Sequence, residues 1–197
     1  GLFIALGSSL AAAPHLLEKN LASLKLAMPS ALVASAFAII GAFLGLWLSA
    51  LNPAYIQGSL GVTIIAIVFI MLFAKNSENP SVTPGNYLTQ LLQINGIYTE
   101  ETTGKEIRWT VHNTTKGMLG FVIVGLLAGI FGLGAGWANV AILNLVMGAP
   151  VKVAVATSSF ALSITDSTAA WIYMNKGAVL PMLTVPSMVG IMLGAKI

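Results

Sequence analysis

Asp166 is the only acid set deep within an apolar segment of this 197-residue chain, in the run Thr157, Ser158, Ser159, Ser163, Thr165, Asp166, Ser167 and Thr168. A carboxylate inside a membrane is costly unless paired, hydrated or protonated, which suits it to proton coupling or to gating a polar solute. At helical spacing Ser159, Ser163, Asp166 and Tyr173 fall along one face, a stripe able to line a pathway. The ordinary alternative is that these hydroxyls bond carbonyls of their own helix and that Asp166 partners another polar helix. Lys196, also in an apolar run, suits an anion or Asp166 as partner, or snorkels to an interface.

The second chemical feature is a break. Gly117 to Pro150 is an apolar stretch too long for one simple span, interrupted by Gly132-Leu133-Gly134-Ala135-Gly136. Lipid tolerates such a break only where the freed backbone lines a cavity or packs against protein. A helix restarting near Trp137 exposes unpaired N–H groups and a positive dipole end, and Gly134 and Gly136 let an anion approach that backbone. Trp137 would wall the cavity. The competing reading is close helix packing through small residues.

The elements that hold these groups follow from composition. With 57% hydrophobic and 8% charged residues and a mean hydropathy of +0.90, the chain lies outside soluble usage and reads as an all-α, polytopic transmembrane helical bundle. Segments are expected from Gly1 to about Leu17, about Leu26 to Leu51, Ile56 to Phe73, the broken Gly117–Pro150 stretch, about Val151 to Met174, and Ala178 onward. Asn52-Pro53 ends one helix and starts the next. Residues 76–115 form the polar connector, in which Ile97-Tyr98-Thr99 and Ile107–Val111 suit a small β-hairpin around Glu101–Gly104. Neither Gly1 nor Ile197 reads as a natural terminus, so a fragment is expected.

A displacement of 157 residues aligns Phe3 with Phe160, Ala12-Ala13 with Ala169-Ala170, Lys19 with Lys176, and Pro29-Ser30 with Pro186-Ser187. This points to two related halves: residues 1–75 as the C-terminal part of a first repeat and 116–197 as a second repeat truncated at its C-terminus. Crossing two spans back from the connector puts the Glu18–Lys25 link on the connector's side. Lys19, Lys25, Lys75, Lys105, Arg108 and Lys116, of nine basic residues in all, then share a side, which the positive-inside rule makes cytoplasmic. The location expected is the cell membrane, multi-pass.

The run Gly125-Leu126-Leu127-Ala128-Gly129-Ile130-Phe131-Gly132-Leu133-Gly134-Ala135-Gly136, followed by Asn144–Ser158, resembles the TauE/SafE sulfite exporter family, and the connector from Gly96 to Ile107 is similar to the segment joining that family's halves. Gly134-Ala135-Gly136 stands where the family's triple glycine is usual, and Asn139 where a basic residue is common in one subgroup. The resemblance implies a permease for a small sulfur-containing or organic anion of the sulfite, thiosulfate or sulfonate class. Substrate contacts are expected from Gly132, Gly134, Ala135, Gly136, Trp137, Asn139, Thr157, Ser158 and Ser159, and proton coupling or gating from Asp166, Ser163 and Lys196.

Other classes are excluded by what the sequence lacks. A formal charge of +3 with no basic face argues against nucleic acid, a single intramembrane acid against an aspartyl-protease dyad, and the absence of a nucleophile elbow or His/Cys cluster against hydrolase or metal chemistry. No cofactor is expected; the partners are an anion, the lipid bilayer and coupling protons. The alternative function is a non-transporting membrane scaffold.

Overall fold

The computed structural model describes residues 1–18, 21–73, 87, 89, 94–99, 106–134 and 136–194. In chain order these form α1 (Leu2–Glu18), α2 (Leu24–Leu51), α3 (Pro53–Phe73), β1 (Asn95–Thr99), β2 (Glu106–Thr110), α4 (Thr114–Phe131), α5 (Gly136–Ala141), a π-helical turn (Ile142–Val146), α6 (Val151–Asn175) and α7 (Pro181–Gly194). The molecule is a helical bundle. Among the described residues, Leu24–Leu51 and Thr114–Phe131 are long and apolar enough to cross a membrane.

Small residues set how closely the central helices approach. Gly41 and Gly45 on α2 and Gly125 and Gly129 on α4 each follow i, i+4 spacing, so each pair lines one helix face. A Cβ at Gly125 would run into the Ala34 carbonyl oxygen and one at Gly129 into that of Ala38. Cβ atoms at Gly41 and Gly45 would strike the carbonyl oxygens of Leu126 and Ile130. The two backbones are therefore in contact, and ascending partners show that α2 and α4 run parallel. In lipid, where apolar burial gives little net drive, close backbone packing of this kind is what joins helices.

The link between α1 and α2 returns to the connector's side. Leu26 at the start of α2 shares a buried cluster with Ile94, Trp109 and Val111 of the connector, Phe121 of α4, and Leu143, Met147 and Val153. β1 and β2 pair antiparallel, Asn95 opposite Thr110 and Thr99 opposite Glu106. Trp109 lies under Gly96, where a Cβ would meet its indole ring at 2.8 Å. The described hairpin of the connector is thus docked on the bundle, and the Thr89 and Thr114 hydroxyls are joined at 2.7 Å.

Helix ends are set by local chemistry. At Asn52 the side-chain oxygen accepts from the Ala54 N–H at 2.9 Å, capping the start of α3, where Pro53 has no N–H left to satisfy. The Ser23 N–H before α2 donates to Thr157 Oγ1 at 3.1 Å, tying α2 to α6. At the periphery, α7 buries none of its residues. α3 exposes Val62, Ile64, Ile65 and Phe69. Apolar faces left open in this way suit a lipid surround.

Candidate functional site

α4 ends where Gly132 adopts the left-handed conformation (φ 59°), which glycine enters without a Cβ penalty. The chain then turns back. Ala138 of α5 packs on Val124 and Ala128 of α4, Ile142 approaches Gly120 and Met147 approaches Gly117, so α5 and the π turn descend antiparallel to α4. The excursion closes where the His112 N–H donates to the Met147 carbonyl at 2.8 Å. Gly132–Gly134 is therefore the tip of a helical hairpin whose two ends meet beside the connector.

The tip is closed by neighbours. A Cβ at Gly134 would collide with Ala5 Cβ of α1 and stand 3.2 Å from Asp166 Oδ2. At Gly136 it would stand 2.7 Å from Leu162 Cδ1 and 4.0 Å from Ser158 Oγ. Both glycines make room for close packing in this conformation, and Gly134 also lets the carboxyl of Asp166 reach the backbone of the tip.

Asp166 is fully buried, and neither carboxyl oxygen has a hydrogen-bond partner among the described residues. A buried polar group is normally satisfied, so one that is not marks a place where a proton, water or solute belongs. Asn139, 2% exposed, likewise leaves Oδ1 without a partner among those residues. Ser158 is the serine on α6 that reaches across to the break, its hydroxyl donating to the Gly136 carbonyl at 3.1 Å. Thr157 accepts from Ser23 instead.

The remaining hydroxyls of α6 bond their own helix. Ser159 donates to Val155 O, Ser163 to Phe160 O, Thr165 to Ala161 O, Ser167 to Ser163 O and Thr168 to Ile164 O, at 2.6–3.1 Å. This is the common use of Ser and Thr in membrane helices, and Asp166 stands apart from it. Ala135 and Lys196, and the side chain of Trp137, lie outside the described residues.

Tyr173 has a role that its place on the polar stripe does not reveal. Its hydroxyl donates to Gly129 O at 2.7 Å and lies 3.3 Å from Ile130 O. These are among the last four carbonyls of α4, which have no partner within their own helix. Its ring also stands 3.7 Å from the Cβ position at Gly132. Tyr173 thus caps α4 from α6 and fixes the angle at which the tip leaves the helix. The aromatic on α6 was visible in the sequence, but the carbonyls it serves are 44 residues away.

The family model for the sulfite exporter TauE/SafE matches residues 1–197, the whole chain. The chain belongs to the TauE/SafE family. Searches of curated proteins and of solved structures returned no match. Membership makes the protein a membrane transporter of the sulfite exporter class, and TauE/SafE proteins are transporters rather than enzymes.

In this TauE/SafE chain a cavity of about 350 Å³ lies over the tip, lined by Gly1, Leu2, Phe3, Phe131, Gly132, Tyr173, Ala178, Val179, Leu180, Leu183 and Thr184. It sits at the end of α6 away from Val151. Since Met147 and Ala149, which lead into α6, pack with the connector residues Ile94 and Trp109, the cavity opens on the side opposite the connector.

Proposed function

We propose that the protein moves a small sulfur-containing or organic anion, of the sulfite, thiosulfate or sulfonate class, by alternating access around the tip at Gly132–Gly136, with Asp166 as the proton-coupling carboxyl. The observation that carries this reading is the unpartnered carboxyl of Asp166 facing Gly134. An anion at the tip and an ionised Asp166 would repel one another, whereas a protonated Asp166 donates a hydrogen bond to the anion. Anion and proton then bind together.

The remaining substrate contacts are assigned to Gly132, Gly134, Ala135, Gly136, Trp137, Asn139, Thr157, Ser158 and Ser159. Ser158, beside Gly136 and bonded to its carbonyl, and Asn139, with a free Oδ1, are the side chains that best support the site. Gating from Ser163 and Lys196 belongs to the same reading. Ala5 and Leu162 fill the space at Gly134 and Gly136, so on this reading α1 parts from the tip for an anion to enter.

Two related halves also fit the arrangement. Pro29 lies five residues after the start of α2 and Pro186 five after the start of α7, by the bounds of those helices. The two helix pairs, α1–α2 and α6–α7, turn on opposite sides of the bundle, as inverted repeats do. The connector, 76–115, is assigned to the cytoplasm, with the 1–75 and 116–197 halves flanking it in a multi-pass cell-membrane protein. Uptake of labelled sulfite, thiosulfate and a sulfonate by proteoliposomes under an imposed pH gradient tests the reading. Absence of transport for all three, from protein that is folded and inserted, would favour a non-transporting scaffold.

A further inference from the structure

We propose that protons reach Asp166 from the side opposite the connector, through the cavity over the tip, and that α1 forms an apolar gate between that cavity and the carboxyl. The inference rests on the reading of Asp166 as the coupling group and adds the route and the barrier.

Tyr173 lines the cavity, and Asp166 lies seven residues earlier on nearly the same face of α6, about 10 Å along the helix axis. Between these two levels α1 meets α6 and α2 through side chains without polar atoms. Leu2 and Leu6 of α1 pack with Ala169 and Ala170 of α6 and Ala38 of α2. Ala5, on the same turn of α1, covers Gly134. Leu2 faces both ways, since it also lines the cavity. The carboxyl therefore sits below a plug, fully buried, with the cavity above it, where Tyr173 and Thr184 supply the polar side chains.

The surroundings fit a proton better than a metal cation. A monovalent metal ion needs a shell of several oxygens, yet the hydroxyls nearest along α6, those of Ser163, Thr165 and Ser167, are turned to carbonyls of their own helix. A proton needs one carboxyl oxygen and no added volume. Once α1 has shifted, hydrated protons from the cavity reach the carboxylate, water giving up the proton as the Asp166 O–H bond forms, and the carboxyl returns it to water on the other side after α1 has closed again. No other titratable side chain competes at this level among the described residues. Leu2–Ser9 of α1, Ser35–Gly45 of α2 and the tip carry none, α4 carries only Lys116 near its connector end, and α6 carries Tyr173, whose hydroxyl is engaged at Gly129, with Lys152 at the connector end.

The chain has no cysteine, so engineered thiols are unique. The test is reaction of Asp166 with a water-soluble carbodiimide, which modifies protonated carboxyls, followed by peptide mass in proteoliposomes treated from the cavity's side. Labelling of the parent should be slow. It should rise about tenfold in Leu6→Ala, because truncating a plug residue favours local opening, and more modestly in Ala5→Gly, a gentler change kept in case the first variant folds poorly. Blocking the mouth in the Thr184→Cys, Leu6→Ala double variant with a bulky impermeant thiol reagent should return labelling to the parental rate. Equal rates in the parent and in folded Leu6→Ala and Ala5→Gly overturn the gate, and labelling insensitive to the blocked thiol overturns the route. Coupling is read separately: Asp166→Asn that keeps the pH dependence of transport overturns the coupling assignment, while the labelling rates still report the path.

Discussion

Replacing Asp166 with Asn should uncouple anion binding from pH, and the size of the effect follows from where the carboxyl lies. Asp166 Oδ2 stands 3.2 Å from the Cβ position of Gly134, so an anion against that backbone would have its charge about 4 Å from the carboxyl. At that separation two like charges repel by about 4 kcal/mol in an effective dielectric of about 20. With about 1.4 kcal/mol per factor of ten, the anion should bind up to about 1,000-fold more weakly to the ionised form than to the protonated one. The sign is that affinity is retained at low pH and falls as pH rises and Asp166 loses its proton. Asn keeps the shape, donates a hydrogen bond and cannot ionise, so Asp166→Asn should bind the anion with an affinity nearly flat in pH. The assay is equilibrium binding of labelled sulfonate, whose own charge is constant over the range, to purified protein across a pH series from mildly acidic to mildly alkaline, with thermal unfolding run alongside. A parent with flat affinity, or an Asn variant that keeps the parental slope, would refute the argument that anion and carboxyl share the tip.

Four further outcomes are expected. Gly129→Val should disrupt the α2–α4 contact, where a Cβ would stand 2.7 Å from the Ala42 nitrogen, and lower stability by about 3 kcal/mol or more, read as a drop in unfolding temperature in detergent. Tyr173→Phe should cost about 1–3 kcal/mol by leaving the Gly129 carbonyl without its donor, and it should slow transport more than it weakens anion binding, since Tyr173 sets the tip's exit angle rather than touching solute. Trp109→Ala should loosen the connector by about 3–5 kcal/mol, seen as faster proteolysis in the 76–115 segment while the helical circular dichroism is retained. Tyr87, 77% exposed, placed as Tyr87→Cys, should resist impermeant thiol reagents in intact cells and react in inverted vesicles; labelling from outside would reverse the orientation.

The helices were largely legible because membrane segments are written in long apolar runs, and Pro53 and Gly132 mark ends by mechanisms that act locally. Asp166 stood out for the same reason: charge within an apolar segment is conspicuous in one dimension. Its nearness to Gly134 was not, because that depends on the α4–α5 hairpin folding back and on α6 packing beside the tip. The sequence also drew attention to Gly134 and Gly136 as an opening, whereas in this conformation Ala5 and Leu162 fill them. The pairing of Gly41 and Gly45 with Gly125 and Gly129 shows the same limit. Their i, i+4 spacing is readable on each helix alone, but which face meets which is a tertiary property. Of the α6 hydroxyls, composition could not separate Ser158, which crosses to Gly136, from Ser159, which turns back to its own helix.

The backbone contact between α2 and α4 carries a mechanical consequence. Two helices whose carbonyls and glycine α-carbons touch have no side-chain layer between them to shear, so they move as one beam. Rearrangement must be taken up where side chains intervene, and the α1 surface, with Leu2, Leu6 and Ala5 laid on α6 and the tip, is such a bearing. The tip is built on the beam through α4, and under the proposed gate α1 is the element that slides over it. A transporter made in this way would work like a fixed rail and a single sliding bolt, with glycine stiffening the rail and apolar side chains greasing the bolt.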